Sequence, residues 1–248
     1  EAYFSRKLAT INQDVEVDIK LDDALFEAYD EKTVRELFQK LGFRSLIARL
    51  PKSQDGFQPT LISNNKEEIV LPEGYALTVT KAEQLAIQQE MKHADIVAFD
   101  TETDGLGGRI SPIIGMSFAI HHNKKIKAWY VPTDGKTVTL WKDFFEDASI
   151  HKTGHNIKYD MEVLAQSGIH VRGVMFDSML ASYLLKPGTR NYGMDDLAEG
   201  YIGYTPIPIS DLIGKGKDQK SMKDVPLKEL ARYACEDADV SLRLYDLF

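Results

Sequence analysis

Three pairs of polar side chains have the types and spacings that metal-dependent chemistry requires, and the first pair is acidic. Asp100 and Glu102 end the largely apolar run of VAFDTETDGL. Because residues i and i+2 of a strand share a face, both carboxylates are expected to project from the edge of a sheet. Neighbouring carboxylates repel each other, and their burial is costly unless a cation lies between them. The pair therefore predicts a cation site, while solvated turn acids at a strand end are the alternative.

The second pair is Asn156 and Asp160 in GHNIKYDMEVL. A spacing of four places both residues on one face of a predicted helix. Asn156 also fits the N-terminal cap of that helix, which is the commoner use of an asparagine at a helix start. Asp160 lies among apolar residues inside the helix, where a solvent-facing aspartate contributes little. Both interpretations of this pair stay open at the level of its own residues.

The third pair is Tyr233 and Asp237 in LARYACEDADVSLRLYDLF, again four residues apart. Both lie beside the apolar stripe of the final predicted helix. A buried tyrosine commonly pairs its hydroxyl locally, and the neighbouring acids Glu236 and Asp239 equally fit an exposed surface. Taken by itself, this pair is ambiguous as well.

Strands that alternate with helices from residue 75 onward predict an α/β fold to position these pairs. Apolar runs at 76–80 and 95–100 enclose a helical pattern. Runs at 112–120 and 125–131, separated by the polar turn HHNK, predict an antiparallel hairpin and hence a mixed sheet. Further helices are predicted near 140–147, 158–167, 176–185, 192–200 and 227–246, with a lysine- and glycine-rich loop at 213–224. Residues 22–50 read as helical, and proline, glycine and asparagine between 51 and 75 predict a linker.

Composition is that of an ordinary globular protein. The chain has 248 residues, 43% of them hydrophobic and 27% charged, with a net charge of −8 and a single cysteine, Cys235. One cysteine forms no internal disulfide and no cysteine-ligated zinc site. The sequence has neither an apolar run long enough to span a membrane nor a secretory signal, so a soluble intracellular protein is expected. The net charge argues against a nucleic-acid partner, but lysines and arginines cluster at 32–52 and 215–228, where phosphate could bind or the side chains could simply be solvated.

In this chain order, the three pairs resemble the signature of the DEDDy exonucleases. The resemblance is strongest to the 3′→5′ proofreading domain of family A DNA polymerases, through FDTETD, GHNIKYD, FDSMLASYLL, IGKGK and YACEDADVSL, and it covers about residues 75–248. It implies a ribonuclease H-like fold, in which a mixed β-sheet is flanked by helices and a small helical appendage precedes it.

The resemblance also implies a catalytic set and a cofactor. Asp100, Glu102, Asp160 and Asp237 would hold two divalent cations, Mg²⁺ or Mn²⁺, which accept all-oxygen ligands. Tyr233 would contact and orient the attacking water. The expected reaction is two-metal hydrolysis of the 3′-terminal phosphodiester of DNA, releasing nucleoside 5′-monophosphates.

The resemblance to the proofreading domain also implies DNA contacts at individual positions. Leu106 and Ile209 match residues that wedge against the terminal bases, and Asn156 matches one beside the scissile nucleotide. The family often has an aromatic residue where Ile209 stands, which puts base stacking there in doubt. Lys215 and Lys217 are candidate phosphate contacts, with solvated loop lysines as the alternative.

The N-terminal flank shows a shorter resemblance. SRKLATI at 5–11 and LGFRSLIARL at 41–50 resemble the C-terminal end of a flap-type 5′ nuclease domain. The expected organisation is a remnant of that domain at 1–52, a linker at 53–74 and the exonuclease domain at 75–248. Neither 5′ nuclease nor polymerase activity is expected of this chain.

The expected partner is a single-stranded 3′ end of DNA, with a polymerase domain in cis in the full-length protein, no membrane partner and a monomeric state. The expected compartment is the cytoplasm, at the nucleoid, for a bacterial protein, or an organelle for a eukaryotic one. Two other functions compete: a catalytically idle DNA-binding scaffold, and an RNA exonuclease of the ribonuclease D kind.

Overall fold

The computed structural model describes residues 2–11, 30, 33–34, 37–38, 43, 70–105, 111–216 and 219–248. The chain divides into two compact units, Glu1–Asn65 and Lys66–Phe248. In the first unit, helix α1 spans Ala2–Ala9, and residues 33–34 and 37–38 are helical, as predicted. Most of the predicted 22–50 helix and of the predicted linker lies outside the described residues, and the domain boundaries at 52 and 74 stay predictions.

A mixed six-stranded sheet lies at the centre of the second unit, in the spatial order β1-β4-β3-β2-β5-β6. The pairs β2–β3 and β3–β4 are antiparallel, and the other neighbours are parallel. The predicted mixed sheet is therefore confirmed. The strands are β1 Tyr75–Leu77, β2 Val97–Thr103, β3 Ile113–His122, β4 Lys125–Pro132, β5 Lys152–Gly154 and β6 Val174–Asp177.

The predicted hairpin is formed by β3 and β4. Asn123 and Lys124 connect the strands with φ angles of 49° and 64°, the positive values of the two-residue turns that match strand twist. The register of β2 on β3 places Gly115 opposite Glu102. A Cβ atom at Gly115 would collide with the hydroxyl and ring of Tyr130, so glycine fits at the β3 position opposite Glu102.

Helices cover the sheet, and most predicted ones are found. They are α2 Lys81–Met91, α3 Lys142–Glu146, α4 Ile157–Ala165, α5 Ser178–Leu185, α6 Met194–Leu197, α7 Ile209–Ile213 and α8 Leu227–Leu247, with 3₁₀ turns at Thr137–Trp141 and Met222–Asp224 and a π turn at Ala198–Ile202. Within the described ranges, no helix combines the length and apolar composition needed to cross a bilayer.

The sequence-based prediction differs from the structure in three places. The helix predicted at 176–185 begins only at Ser178, because the residues before it form β6. Strands β5 and β6 were not predicted, since runs of three or four residues are too short to show a period of two. The stretch predicted as a helix at 192–200 is a four-residue α-helix that widens into the π turn.

Alternation along β2 separates two helical layers. Val97 and Phe99 pack in one cluster with apolar residues of α2, α3 and α4. Ala98 packs on the opposite face with apolar residues of α8. Because side chains alternate across a strand, Asp100 and Glu102 continue the α8 face, while Thr101 faces α4.

Candidate active site

A cleft of about 550 Å³ opens at the C-terminal end of β2. It is lined by five of the residues singled out from the sequence: Asp100, Glu102, Ile209, Tyr233 and Asp237. Asp160, Asn156 and Lys215 are not among its lining residues. Leu106 and Lys217 lie outside the described residues. The first and third polar pairs thus meet at one site, although about 130 residues of sequence separate them.

Asp100, Glu102 and Asp237 form a three-carboxylate cluster. One oxygen from each lies within 4.8 Å of the others. Glu102 is 6% exposed, and its Oε1 atom is buried without a hydrogen-bond partner among the described residues. A buried oxygen without a partner, beside two further carboxylates, is energetically unfavourable. A hard divalent cation, which takes oxygen ligands, would supply the missing partner.

Burial and mutual repulsion hold protons on this cluster. Burial raises the pKa of Asp100 to about 7. Burial, followed by the charges of the neighbouring acids, raises the pKa of Glu102 and of Asp237 well above the ordinary range. A bound cation would favour the ionised forms, so the cluster is expected to exchange protons for metal.

Asp160 reaches the site from the other helical layer. It is 2% exposed, and its Oδ1 atom accepts hydrogen bonds from the backbone N–H of Thr101 at 2.9 Å and from the Thr101 hydroxyl at 2.6 Å. Burial and the charge of Asp100 raise the pKa of the Asp160 carboxyl. Asp160 therefore lies next to the three-carboxylate cluster without belonging to it, and α4 is tied to the strand between the two acids of β2.

The start of α4 is held by a residue that sequence reasoning missed. Asn156 stands at the N-cap position, as one of the two alternatives predicted, but it has left-handed backbone angles, φ 57° and ψ 40°, and its side chain makes no capping bond. Asp177 accepts instead from the backbone N–H groups of Asn156 and Ile157, while also capping α5 through Met179 and Leu180. One carboxylate thus caps both helices.

Tyr233 lies on α8 one turn before Asp237. Burial, together with the charges of Asp237 and Glu102, raises the pKa of its hydroxyl far above the ordinary value. The group therefore stays protonated and acts as a hydrogen-bond donor. The alternative that Glu236 and Asp239 are exposed acids was wrong, since they are 5% and 3% exposed.

Asp104 is a further cleft residue that the sequence could have shown. It follows Glu102 by two residues, the spacing that had already drawn attention to Asp100. Its carboxylate accepts from the Ser221 hydroxyl and from Lys223 Nζ at 2.8 Å, which lowers its pKa. These bonds connect the end of β2 to the segment after α7. No spacing rule predicts that connection, because Ser221 is distant in sequence.

Comparison with known proteins identifies related sequences. Residues 76–248 match the sequence model of the family described as 3′-5′ exonuclease. DNA polymerase I of Pseudomonas aeruginosa is 30% identical, over 99% of this chain and 28% of its own length. DNA polymerase I of Chloroflexus aurantiacus is 36% identical, over 98% and 29%. The chain thus spans less than a third of the length of these relatives.

Solved structures support the fold. RNase D of Trypanosoma brucei has a TM-score of 0.54 and 19% identity, covering 70% of this chain and 64% of that one. NrnC of Brucella melitensis has a TM-score of 0.52 and 18% identity, covering 69% and 77%. These neighbours confirm the predicted ribonuclease H-like architecture. With the family match over residues 76–248, they lead to one assignment: the chain belongs to the 3′→5′ exonuclease family.

Proposed function

We propose that residues 75–248 form a metal-dependent exonuclease domain that shortens single-stranded DNA from its 3′ end, as the proofreading part of a DNA polymerase I. The observation that carries the proposal is the three-carboxylate cluster at the cleft, with Glu102 Oε1 buried and unpaired. The DNA substrate is supported by the polymerase relatives. The product would be a nucleoside 5′-monophosphate.

Oxygen ligands define the cofactor of the proposed site. Asp100, Glu102 and Asp237 would bind directly, and Asp160, adjacent but outside their cluster, would complete a site for two divalent cations, Mg²⁺ or Mn²⁺. When bound, such a cation pair lowers the pKa of water and stabilises the charge on the phosphoryl group. Asp160 Oδ1 already accepts two hydrogen bonds from Thr101, which leaves Oδ2 as the oxygen available to a cation.

Tyr233 would position the attacking water. Its hydroxyl lines the cleft and carries its proton, so it can donate a hydrogen bond but is poorly suited to accept a proton from water. We therefore assign Tyr233 an orienting role in hydrolysis.

The walls of the cleft have the chemistry of a nucleotide site. Ile209, Ile213 and Met222 supply apolar surface for a base or sugar, and Lys220 supplies a cation for phosphate. Ile209 is 40% exposed and thus accessible. The proposed DNA contacts of Leu106, Asn156, Lys215 and Lys217 stay predictions.

The parent protein would carry this domain beside a polymerase domain in cis, in the cytoplasm of a bacterium. Residues 1–52 would be the remnant of a 5′ nuclease domain and 53–74 the linker. The matched relatives are more than three times as long as the aligned chain, which leaves room for further domains in them. We expect this domain to shorten primers from their 3′ ends.

An RNA substrate is the second candidate, because the fold is also similar to that of T. brucei RNase D. Digestion of matched 5′-labelled DNA and RNA oligonucleotides with mismatched 3′ ends, with Mg²⁺, Mn²⁺ or chelator, separates the possibilities. We expect a metal-dependent ladder shortening from the 3′ end, faster on DNA. Faster RNA digestion would replace the substrate assignment, and DNA binding without a ladder would identify an idle scaffold.

A further inference from the structure

Two buried acids of α8, Glu236 and Asp239, face away from the three-carboxylate cluster and make different connections. Glu236 precedes Asp237 by one residue, so its side chain leaves the helix about 100° away from the cluster. Both of its oxygens are engaged. One accepts from the hydroxyl of Tyr204, and the other accepts from the backbone N–H of Ile207 at 2.6 Å.

The Glu236 contacts hold the segment that leads into the cleft wall. Residues 203–208 have no regular secondary structure and connect the π turn to α7. Helix α7 begins at Ile209 and ends at Ile213, and both isoleucines line the cleft. We call these two side chains the α7 wall. Ile213 packs into the core beneath α8, whereas the beginning of α7 follows two residues after the Ile207–Glu236 bond.

The same turn of α8 therefore connects to both sides of the cleft. Asp237 contributes to the cluster, and Glu236 fixes the approach to the α7 wall. A charged acceptor for a backbone N–H and a tyrosine hydroxyl makes a strong restraint, since hydrogen bonds to charged groups stabilise more than neutral ones. The distance between wall and cluster is then set by one rigid helix.

We propose that Glu236 is a positioning residue, which holds the α7 wall at the distance from the carboxylates that seats the terminal nucleotide. The proposal rests on the exonuclease function proposed above, because only that function places a nucleotide in the cleft. Glu236 neither lines the cleft nor belongs to the three-carboxylate cluster. Its removal should therefore weaken substrate seating while leaving metal binding intact.

Asp239 provides a matched control on the same helix. It is equally buried, accepts from the hydroxyl of Tyr75 at 2.7 Å and pairs with Arg243 at 2.6 and 2.9 Å. These contacts attach β1, at the far edge of the sheet, and none of the three residues lines the cleft. Asp239→Ala thus removes a comparable buried network. It borders the Glu236 network only where the Arg243 guanidinium lies over the Tyr204 ring, 5.6 Å from the centroid, and it leaves the Ile207–Glu236 bond in place.

The test compares Glu236→Ala, Glu236→Gln, Tyr204→Phe and Asp239→Ala with the unaltered chain. Steady-state cleavage of a single-stranded DNA oligonucleotide gives KM and kcat, titration with Mn²⁺ alone gives metal affinity, and amide hydrogen exchange reports on residues 203–213. We expect Glu236→Ala, which loses the bonds from Tyr204 and Ile207, to raise KM about tenfold, with a smaller change in kcat. Mn²⁺ affinity should stay unchanged, and exchange in 203–213 should accelerate.

The milder variants keep the proposal open to refutation if Glu236→Ala does not fold. Glu236→Gln retains an acceptor for the Ile207 N–H, so its KM should stay close to that of the unaltered chain. Tyr204→Phe should raise KM to an intermediate value. Equal KM changes in Asp239→Ala and Glu236→Ala, or a parallel loss of Mn²⁺ affinity, would overturn the proposal. If the unaltered chain shows no cleavage, the proposed function fails, while exchange in 203–213 still tests the restraint itself.

Discussion

The carboxylate of Asp160 accepts two hydrogen bonds from Thr101, the residue that separates Asp100 from Glu102 on β2. The bond from the backbone fixes the height of α4 against the strand, and the bond from the hydroxyl fixes the rotamer of the aspartate. An acid of one helical layer is thereby brought to the edge of a cluster formed on the other face of the sheet.

Replacement of Thr101 by valine should impair cleavage more than folding. The variant keeps the shape of the side chain and the backbone bond but loses the hydroxyl bond to Asp160, so we expect a roughly tenfold loss of kcat/KM. Thermal unfolding and oligonucleotide digestion measure the two effects. Thr153→Val is the control, because the hydroxyl of this buried threonine donates to the backbone carbonyl of Phe176, at 3.2 Å, and not to a carboxylate. Equal activity losses in both variants would contradict the positioning of Asp160 by Thr101.

Asp177→Ala should destabilise the domain by about 1–4 kcal/mol, since a cap is worth about 0.5–2 kcal/mol and this residue caps both α4 and α5. Metal-dependent cleavage should fall as well, because α4 carries Asp160. Chemical denaturation gives the free energy of unfolding. Thr80 is exposed and caps α2 alone, so Thr80→Ala should cost no more than about 1 kcal/mol. Equal losses in the two variants would argue against a double cap.

Lys152→Met should destabilise the fold although no carboxylate pairs with this lysine in the hydrogen bonds of the described residues. Lys152 is fully buried, and its ammonium donates to the carbonyls of Asp147, Ile150 and Arg172 at 2.8–3.0 Å. Methionine fills the volume but leaves these carbonyls unsatisfied, so we expect a loss of about 2 kcal/mol in denaturant unfolding. Lys127→Met, which removes a partly exposed pair with Glu90, should cost less than about 1 kcal/mol. The reverse order would refute this account of Lys152.

The raised carboxylate pKa values predict how stability depends on pH and metal. Without metal, the folded state binds more protons than the unfolded state between pH 3.8, the ordinary pKa of Asp100, and about 7. Stability from these groups is therefore present at low pH and lost as pH rises through that window. Mn²⁺ should raise Tm more at pH 8 than at pH 5, since metal and protons compete for the same oxygens.

The size of the metal effect follows from mass action. At a concentration 100 times Kd, Mn²⁺ adds about 2.7 kcal/mol, which corresponds to a rise in Tm of about 5–10 °C for a unit of this length. Differential scanning calorimetry at pH 5 and pH 8, with Mn²⁺ and with chelator, gives the four values. Equal metal-dependent shifts at both pH values would show that the cluster does not exchange protons for metal.

Sequence patterns predicted the hairpin, α2, α8 and the convergence of the Asp100 and Asp237 regions, because each depends on local periodicity or on a family signature. They did not predict β5 and β6, whose few residues pair only because β2 is already in place. They also missed the roles of Asp177 and Glu236. A carboxylate that accepts hydrogen bonds from backbone N–H groups some 20–30 residues away has no spacing that distinguishes it from a surface acid.

The most direct test of the account is metal-dependent digestion of a 5′-labelled, 3′-mismatched DNA oligonucleotide by Asp100→Asn, with Asp211→Asn as the matched control. Asp211 is an exposed acid on α7, beside the cleft but outside the three-carboxylate cluster. We predict that Asp100→Asn loses digestion by about a thousandfold or more, as expected when a metal ligand is removed from a two-metal centre, and that Asp211→Asn retains it. Unchanged digestion by Asp100→Asn would contradict the assignment of the cluster as the catalytic centre.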